Sequence, residues 1–404
     1  MKRILFIASQ PFFEWRGSPI RLGFDLLALT QLGYTVDFLT LPLGERREIS
    51  GVNIIRAPNL FMARRISIGP SLLKLAFDGI LFWMALWRVV RYRYVVVHGV
   101  EDCGFIAWLA ARVGRAGFIF ERHSDPSSYH KGRLRNLVMR TYAAIERWVM
   151  RHADAVIGTG PGLVAHAQSV GRASRACLIP DIPSSLTESS ALGRETARAR
   201  CVRQNTDLLI AYVGSFAVYQ GIDLLFEAIP RVAAAEPRAR FVIIGGTPAQ
   251  IAERKEALAA AGCAKAVLFL GLIDPDQLPD YLAACDILLS PRIAGMNTPL
   301  KLLDYLKAGA AIVATDCEAN RLILTPDIAE LTPLTPNGFA AGILALCGDA
   351  NRRALLAQQG TELILAQHTF SAFRDALRQC YLYVLNRRAA GRGAGNGRID
   401  SPLP

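Results

Sequence analysis

A chain of 404 residues, 52% hydrophobic and 20% charged, is long enough for two packed domains and too apolar for general disorder. The net charge of +12 is concentrated: residues 1–185 hold 24 Lys or Arg against 13 Asp or Glu, a balance of +11, and the remainder balances to +1. Such a basic half suits an anionic membrane or a phosphorylated lipid acceptor, with a merely solvated face as the plain alternative, and no nucleic-acid motif or interleaved aromatic array accompanies it.

The eight cysteines form no C-x-x-C pair and stand at no zinc-ligand spacing from histidine. They read as buried apolar residues in a reducing, cytoplasmic compartment, with no metal site or disulfide. The N-terminal apolar run ends at Ser9-Gln10, too early for a secretory segment, so Ile4–Ala8 reads as a first buried strand.

A helix follows over Ile20–Leu32, stopped at Gly33, then strands at Thr35–Leu41 and Gly51–Arg56. The segment 71–91 is an apolar helix interrupted by Lys74 and Asp78, too short in its clean stretch to span a bilayer, and read as buried or touching a membrane. Strand Tyr94–Val97, helix Asp102–Val113, strand Phe118–Glu121, helix Leu134–His152 and strand Ala155–Gly158 complete the first half. Residues 1–185 are thus a first α/β domain, and 186–204, polar and irregular, a linker.

The rhythm restarts with strands at Leu208–Val213, Arg240–Ile244, Val267–Leu270, Ile287–Ser290 and Ala311–Thr315. Helices intervene at Ile222–Ala235, Pro248–Ala261, Asp276–Ala284 and Thr298–Ala308. Residues 205–370 make the second domain, 371–386 a closing helix, and 387–404 a Gly/Arg-rich disordered tail. Two doubly wound parallel sheets in series imply a central cleft, with ligands at the carboxyl ends of strands. Residues just past strands therefore carry the chemistry, among them His98, His123, Gly214, Ser215, Gly245, Arg292 and Thr315.

The segment from Ser290 to Gly309 is the most informative. A strand ends, a loop carries Arg292 and Gly295, and a helix opens near Thr298-Pro299. Free N–H groups at such a helix start attract phosphate, and Arg292 and Lys301 add cations. Asp304, seven residues after Asn297, is placed to accept hydrogen bonds from a ribose diol. An ordinary capped helix with a surface Lys and Asp is the plain alternative.

These residues carry a resemblance. Tyr212-Val213-Gly214-Ser215-Phe216, then Gln220-Gly221-Ile222-Asp223-Leu224-Leu225, resembles the donor-domain opening of glycosyltransferase family 4, the "group 1" transferases. Asp304-Tyr305-Leu306, Gly309 and Ile312-Val313-Ala314-Thr315 resemble that family's E-x-x-A-x-G-x-P-V-V-A-T run. The likeness is good over 205–385 and thinner before. It implies a GT-B fold, two Rossmann-like domains facing a cleft, and sugar transfer with retention from a nucleotide sugar, UDP- or GDP-linked, without a metal or other cofactor. It implies a donor site from Gly17, Gly214, Ser215, Gly245, Asn297, Thr298, Pro299, Leu300 and Asp304. His123, Arg292 and Lys301 are implied to act on the reacting groups. Implied partners are the nucleotide sugar and a glycan or polyprenyl-linked acceptor, in cell-envelope polysaccharide synthesis, with peripheral attachment to the inner membrane.

The chain departs from the family at three points. Met296 stands where the first Glu of the E-x7-E pair is usual, and Ser215 and Gln220 stand where an Arg and a Lys bind phosphate. Arg16 and Arg21, beside Gly17-Ser18, are further phosphate candidates. The rival readings are a non-catalytic sugar-nucleotide or glycan-binding subunit and a GT-B epimerase. A Rossmann oxidoreductase is disfavoured because no complete G-x-G-x-x-G follows a strand.

Overall fold

The structure, a computed structural model, describes residues 2–13, 17–45, 47–64, 66, 71–123, 133–171, 175–295 and 299–393, without the side chains of 133–139 and 391–393. The chain divides into two compact units, Met1–Asp181 with Phe370–Pro404, and Ile182–Thr369.

In the first unit every strand pairing is parallel. β1 (Arg3–Ala8), β2 (Thr35–Thr40), β3 (Val52–Arg56), β4 (Val96–Val100), β5 (Gly117–Arg122), β6 (Ala155–Gly158) and β7 (Ala176–Leu178) lie in the order β3-β2-β1-β4-β5-β6-β7. Alternate residues explain the two covered faces. Leu5, Ile7, Leu39, Val97, Phe118 and Phe120 meet helices α2 (Leu72–Arg91), α3 (Gly104–Val113) and α4 (Arg133–His152). The other side packs on α1 (Gly17–Gln31) and the C-terminal helix, where Tyr381 meets His98 and Phe373 meets Arg21. Ser71 caps α2 through its hydroxyl, which accepts from the Lys74 N–H at 3.2 Å. α5 (Pro161–Val170) and β7 extend the unit beyond the expected elements.

The second unit has six parallel strands: β8 (Leu208–Val213), β9 (Ala239–Ile244), β10 (Val267–Gly271), β11 (Ile287–Ser290), β12 (Ala311–Thr315) and β13 (Glu330–Thr332), in the order β10-β9-β8-β11-β12-β13. One face packs on α7 (Ile222–Ala235), α8 (Pro248–Ala260) and α12 (Pro336–Gly348). The other packs on α6 (Ala191–Cys201), α9 (Leu278–Ala283), α10 (Leu300–Ala308) and α13 (Ala350–Gln367). In both sheets strand order reverses beside the first strand, between β1 and β4 and between β8 and β11. Such a reversal opens a crevice at the carboxyl ends of the strands.

Three boundaries differ from the expectation. The polar stretch 186–204 is not irregular: Ser190 caps α6 with its hydroxyl, and Arg198 ties that helix to the Ala284 carbonyl at 2.8 Å and to Asp286 at 3.2 Å. Polarity there reflects long-range hydrogen bonds. The closing helix, α14, runs Phe370–Gly393 and belongs to the first unit. Residues 387–393, expected to be disordered, are helical. Arg388 reaches Asp154 at 3.3 Å and the Arg115 carbonyl at 3.0 Å, which anchors the turn. Residues 394–404 lie outside the described residues. The first-domain boundary falls after Asp181 and not after Ser185.

Candidate functional site

The second-unit crevice is built first by β8 and β11. β8 buries Leu208 to Tyr212, and Gly214 and Gly245 close the ends of β8 and β9, with Gly245 N–H donating to the Gly271 carbonyl at 2.7 Å. Past β11 the chain turns at Pro291-Arg292. A buried polar knot fixes this turn. Asn320 donates to the Ser290 carbonyl at 3.3 Å and the Thr315 carbonyl at 2.9 Å, and the Thr315 hydroxyl donates to the Arg292 carbonyl. The short helical turn Val218–Gln220 lies against it, with Ile293 N–H donating to the Tyr219 carbonyl at 3.1 Å. Gly221, at φ +69°, has no room for a side chain: a Cβ would stand 1.8 Å from the Pro291 carbonyl. Gly295 leaves space in the same way for the Arg292 guanidinium, 2.1 Å from where its Cβ would be.

Two cations occupy this corner. Arg292, 8% exposed, lies with its guanidinium 5.4 Å from the centre of the Tyr219 ring, and its Nε donates to the Ala294 carbonyl at 2.8 Å. Lys301, in the first turn of α10, donates to Gln220 Oε1 at 3.1 Å, and its ammonium sits 4.6 Å from the Tyr212 ring centre. Burial, with the Arg292 charge adding to it, pushes the Lys301 ammonium down to about 7. Burial also lowers Arg292. No carboxylate pairs with either among the described residues. A site that gathers one buried and one half-buried cation, with no counter-charge among the described residues, is arranged for an anion.

Pro299 takes the cap position of α10, with φ −76°, and Leu300 opens the helix, one to two residues later than expected. Met296, Asn297 and Thr298, and with them the proposed threonine cap, lie outside the described residues. Asp304 faces another direction. Its two carboxylate oxygens accept from the Ser184 N–H at 2.6 Å and the Ser184 hydroxyl at 2.8 Å. Burial raises it to about 6, against the pull of those two donors. Beside it opens a cavity of about 280 Å³ walled by Ser184, Ser189, Arg194, Leu278 and Lys307, near the lower end of ligand-pocket size. Ser215 offers its carbonyl to the Tyr212 hydroxyl at 2.8 Å.

In the first unit Glu121, fully buried at the end of β5, gathers three partners. Arg21 Nε donates to Oε1 at 2.5 Å, His123 Nε2 lies 3.0 Å from the same oxygen, and His98 Nε2 lies 2.9 Å from Oε2. Burial alone would raise Glu121, but the Arg21 charge and the two imidazoles hold it well below the ordinary carboxylate range. Burial opposes protonation of His123, yet the Glu121 carboxylate outweighs it and raises that imidazole. His98 is lowered by burial. It lies within β4, not beyond it, and its Nδ1 meets the Tyr381 hydroxyl at 2.7 Å, so it is a core residue. Arg21 is likewise no phosphate ligand here: 3% exposed, it is spent on Glu121 and on Asp181 at 2.9 Å. Gly17 begins α1, exposed, and Arg16 lies outside the described residues.

The description "Glycosyl transferases group 1" matches residues 207–349, and "Glycosyl transferase 4-like domain" matches residues 26–181, together most of both units. The chain belongs to this glycosyltransferase family. It is 26% identical over 148 residues to phosphatidyl-myo-inositol mannosyltransferase of Mycolicibacterium smegmatis, covering 36% of this chain and 37% of that protein. It is 26% identical over 308 residues to 2-deoxystreptamine N-acetyl-D-glucosaminyltransferase of Streptomyces fradiae, covering 71% and 69%. The chain thus spans little more than a third of the mannosyltransferase it matches. Among solved structures it resembles sucrose-phosphate synthase from Thermosynechococcus elongatus, with a TM-score of 0.75 at 20% identity, over 96% of this chain and 100% of that one. It also resembles WaaG, a glycosyltransferase involved in lipopolysaccharide biosynthesis, with a TM-score of 0.70 at 16% identity over 93% and 98%. Those likenesses show the GT-B fold, in agreement with two Rossmann-like parallel sheets.

Within this glycosyltransferase frame the cation corner gains meaning. Gln220, which replaces the family's usual Lys, is the residue Lys301 touches, so an ammonium stands close to the vacated place. Sequence reading selected Arg292 and Lys301 but not their aromatic platforms. Tyr212 and Tyr219 look like a buried strand residue and a turn residue, and only folding brings their rings to the cations. Glu121 was likewise visible only as the neighbour of His123.

Proposed function

We propose that the protein transfers a hexosyl group from a nucleoside-diphosphate sugar, UDP- or GDP-linked, to a hydroxyl of a glycan or lipid-linked acceptor, with retention. The observation that carries this reading is the Arg292–Lys301 pair at the β8/β11 reversal, one buried and one half-buried cation without a carboxylate partner among the described residues. In the reaction the bond from the anomeric carbon to the diphosphate oxygen breaks, and a bond to the acceptor oxygen forms. The acceptor proton passes to the departing diphosphate on the same face, a front-face route that gives retention. Preorganised cations stabilise the charge that grows on the leaving oxygen. Asp304 and the cavity beside it suit the nucleoside, with Ser184 as the group that ribose hydroxyls would displace or join.

Relatives named for mannosyl, glucosyl and N-acetylglucosaminyl transfer support a hexosyl donor. One of them is named for a phosphatidylinositol acceptor, which supports a lipid-linked one. Ser215 and Gln220, where the family places cations, favour the rival reading of a non-catalytic sugar-nucleotide-binding subunit. Release of nucleoside diphosphate from a panel of UDP- and GDP-sugars, by wild type and by the Arg292→Ala and Lys301→Ala variants, separates the two. Transfer lost with each alanine supports the enzyme. Donor binding without release in any condition supports the subunit.

A further inference from the structure

α1 turns two charged residues toward the core. Its inward face should be apolar, and Ile20, Leu22, Leu26 and Leu29 meet that demand. Arg21 and Asp25 share the buried face. Four residues apart, they are neighbours on one side of the helix, about 5–6 Å between Cβ atoms. A buried charge is costly unless paired, so each needs an account.

Arg21 is accounted for in part. Its Nε donates to Glu121 Oε1 at 2.5 Å and its Nη1 to Asp181 at 2.9 Å, while Nη2 is buried with no hydrogen-bond partner among the described residues. Its guanidinium lies 5.0 Å from the centre of the Phe373 ring. Asp181 is the last residue before the chain leaves the first unit, and Phe373 follows its return at Phe370. One guanidinium thus fastens both crossing segments to the carboxylate that holds His123. Arg21 Nε and His123 Nε2 meet the same Glu121 oxygen.

Asp25 is not accounted for at all. It is fully buried, and neither carboxylate oxygen has a partner among the described residues. Burial and then the Glu121 charge raise it well above the ordinary carboxylate range, with Arg21 pulling against them and Asp181 adding to them. Asp25 is therefore neutral while Asp181 is docked. Buried groups without partners are rare and call for a reason. Here a spare donor and a spare acceptor stand one turn apart on one helix. With Asp181 withdrawn, Arg21 would face Glu121 alone. Asp25 can then release its proton to water and take the place of Asp181. Both arrangements set one guanidinium against two carboxylates.

We propose that Asp25 is the reserve partner of Arg21: when the crossing segment at Asp181 comes away, the guanidinium passes to Asp25 and keeps its bond to Glu121, so His123 stays oriented. Arg21 and Asp25 are then positioning residues for His123. The other titratable groups around this cluster are His98, Glu101, Tyr34, Cys177, Cys380 and Tyr381. Burial lowers His98 and raises Tyr34 and Tyr381, and the Cys177 contact followed by burial raises Cys380, so these supply no competing charge.

The proposal rests on the functional reading for the role of His123, but its test needs neither donor nor transfer. Carboxyl and imidazole titrations are followed by NMR on the full chain, in wild type, Asp25→Asn, Asp181→Asn and the double variant. In Asp181→Asn the Asp25 titration should fall by about one pH unit or more, because a repelling charge is gone and Arg21 is free to pair. The His123 titration should hold in both single variants, where the cluster keeps its charge, and fall in the double variant, where Arg21 is opposed by Glu121 alone. The loss of thermal midpoint in the double variant should exceed the sum of the single losses. An Asp25 titration unmoved in Asp181→Asn would overturn the proposal, and that single variant decides it even if the double variant does not fold. Additive thermal losses, or a wild-type His123 titration in a folded double variant, would overturn it too. Absence of transfer in wild type would count against the enzymatic reading and leave these titrations as they stand.

Discussion

Lys301 donates to the Gln220 side chain at 3.1 Å, and the two residues come from opposite sides of the strand reversal, α10 and the turn before α7. The family's usual cation at 220 is gone, and an ammonium from another element stands beside its place. This predicts a swap. Lys301→Ala and Arg292→Ala should each cost transfer about 2–4 kcal/mol, the scale of a lost transition-state charge contact. Adding Gln220→Lys to Lys301→Ala should restore part of the loss. Arg292→Lys should recover little, because the guanidinium fork is absent. Transfer rates for the four variants decide it, and no rescue by Gln220→Lys would mean that the two positions do not share one phosphate.

Lys301 also makes a pH prediction. Folded, it titrates near 7, well below the 10.5 of a free lysine. Between those values the unfolded chain holds a proton that the folded chain has shed. Stability should therefore rise with pH across that window, by at most roughly 1.4 kcal/mol per pH unit from this group. Lys301→Met should flatten the rise, read as the thermal midpoint against pH. A bound diphosphate should return the proton, so binding at pH 8 should take up close to one proton in wild type and far less in the methionine variant. Calorimetry in two buffers of different ionisation heat measures it.

How much of this was legible in the sequence depends on the range of the forces involved. The βα alternation set the sheet strands well, because apolar runs such as Leu208–Val213 and Ile287–Ser290 encode burial locally. α6 and the end of α14 were not legible, since Arg198 and Arg388 are ordered by partners 86 and 234 residues away. The candidate site divides in the same way. Arg292, Lys301 and Asp304 announce themselves near a helix start, whereas Arg21 looked like a free cation until β5 placed Glu121 against it. His98 looked like a strand-end residue because its strand was read three residues short.

Glu121 should control His123. Glu121→Gln removes the charge that raises the imidazole, so the His123 titration followed by NMR should move below that of free imidazole. The same change leaves Arg21 with Asp181 as its remaining ion-pair partner and should cost stability, by at most about 3–5 kcal/mol. His123→Ala should depress turnover more than donor affinity. An unmoved His123 titration in the glutamine variant would detach the two residues functionally.

Asp304 should respond to the loss of Ser184. Ser184→Ala deletes one of the two donors that hold the carboxylate and should push Asp304 above its present value of about 6. If Asp304 holds ribose, Asp304→Asn weakens nucleoside-diphosphate binding, and a 2′,3′-dideoxynucleoside diphosphate loses affinity for wild type but little for the variant. Equal discrimination of the two nucleotides by both proteins would remove Asp304 from the ribose contact.

The central claim is that the Arg292–Lys301 corner receives a nucleotide diphosphate, and direct calorimetric titration of UDP and GDP tests it. At least one of them should bind wild type specifically and lose roughly tenfold or more in affinity in Arg292→Ala and in Lys301→Ala, with folding intact. Absence of binding by both nucleotides, or wild-type affinity in both variants, would contradict the account.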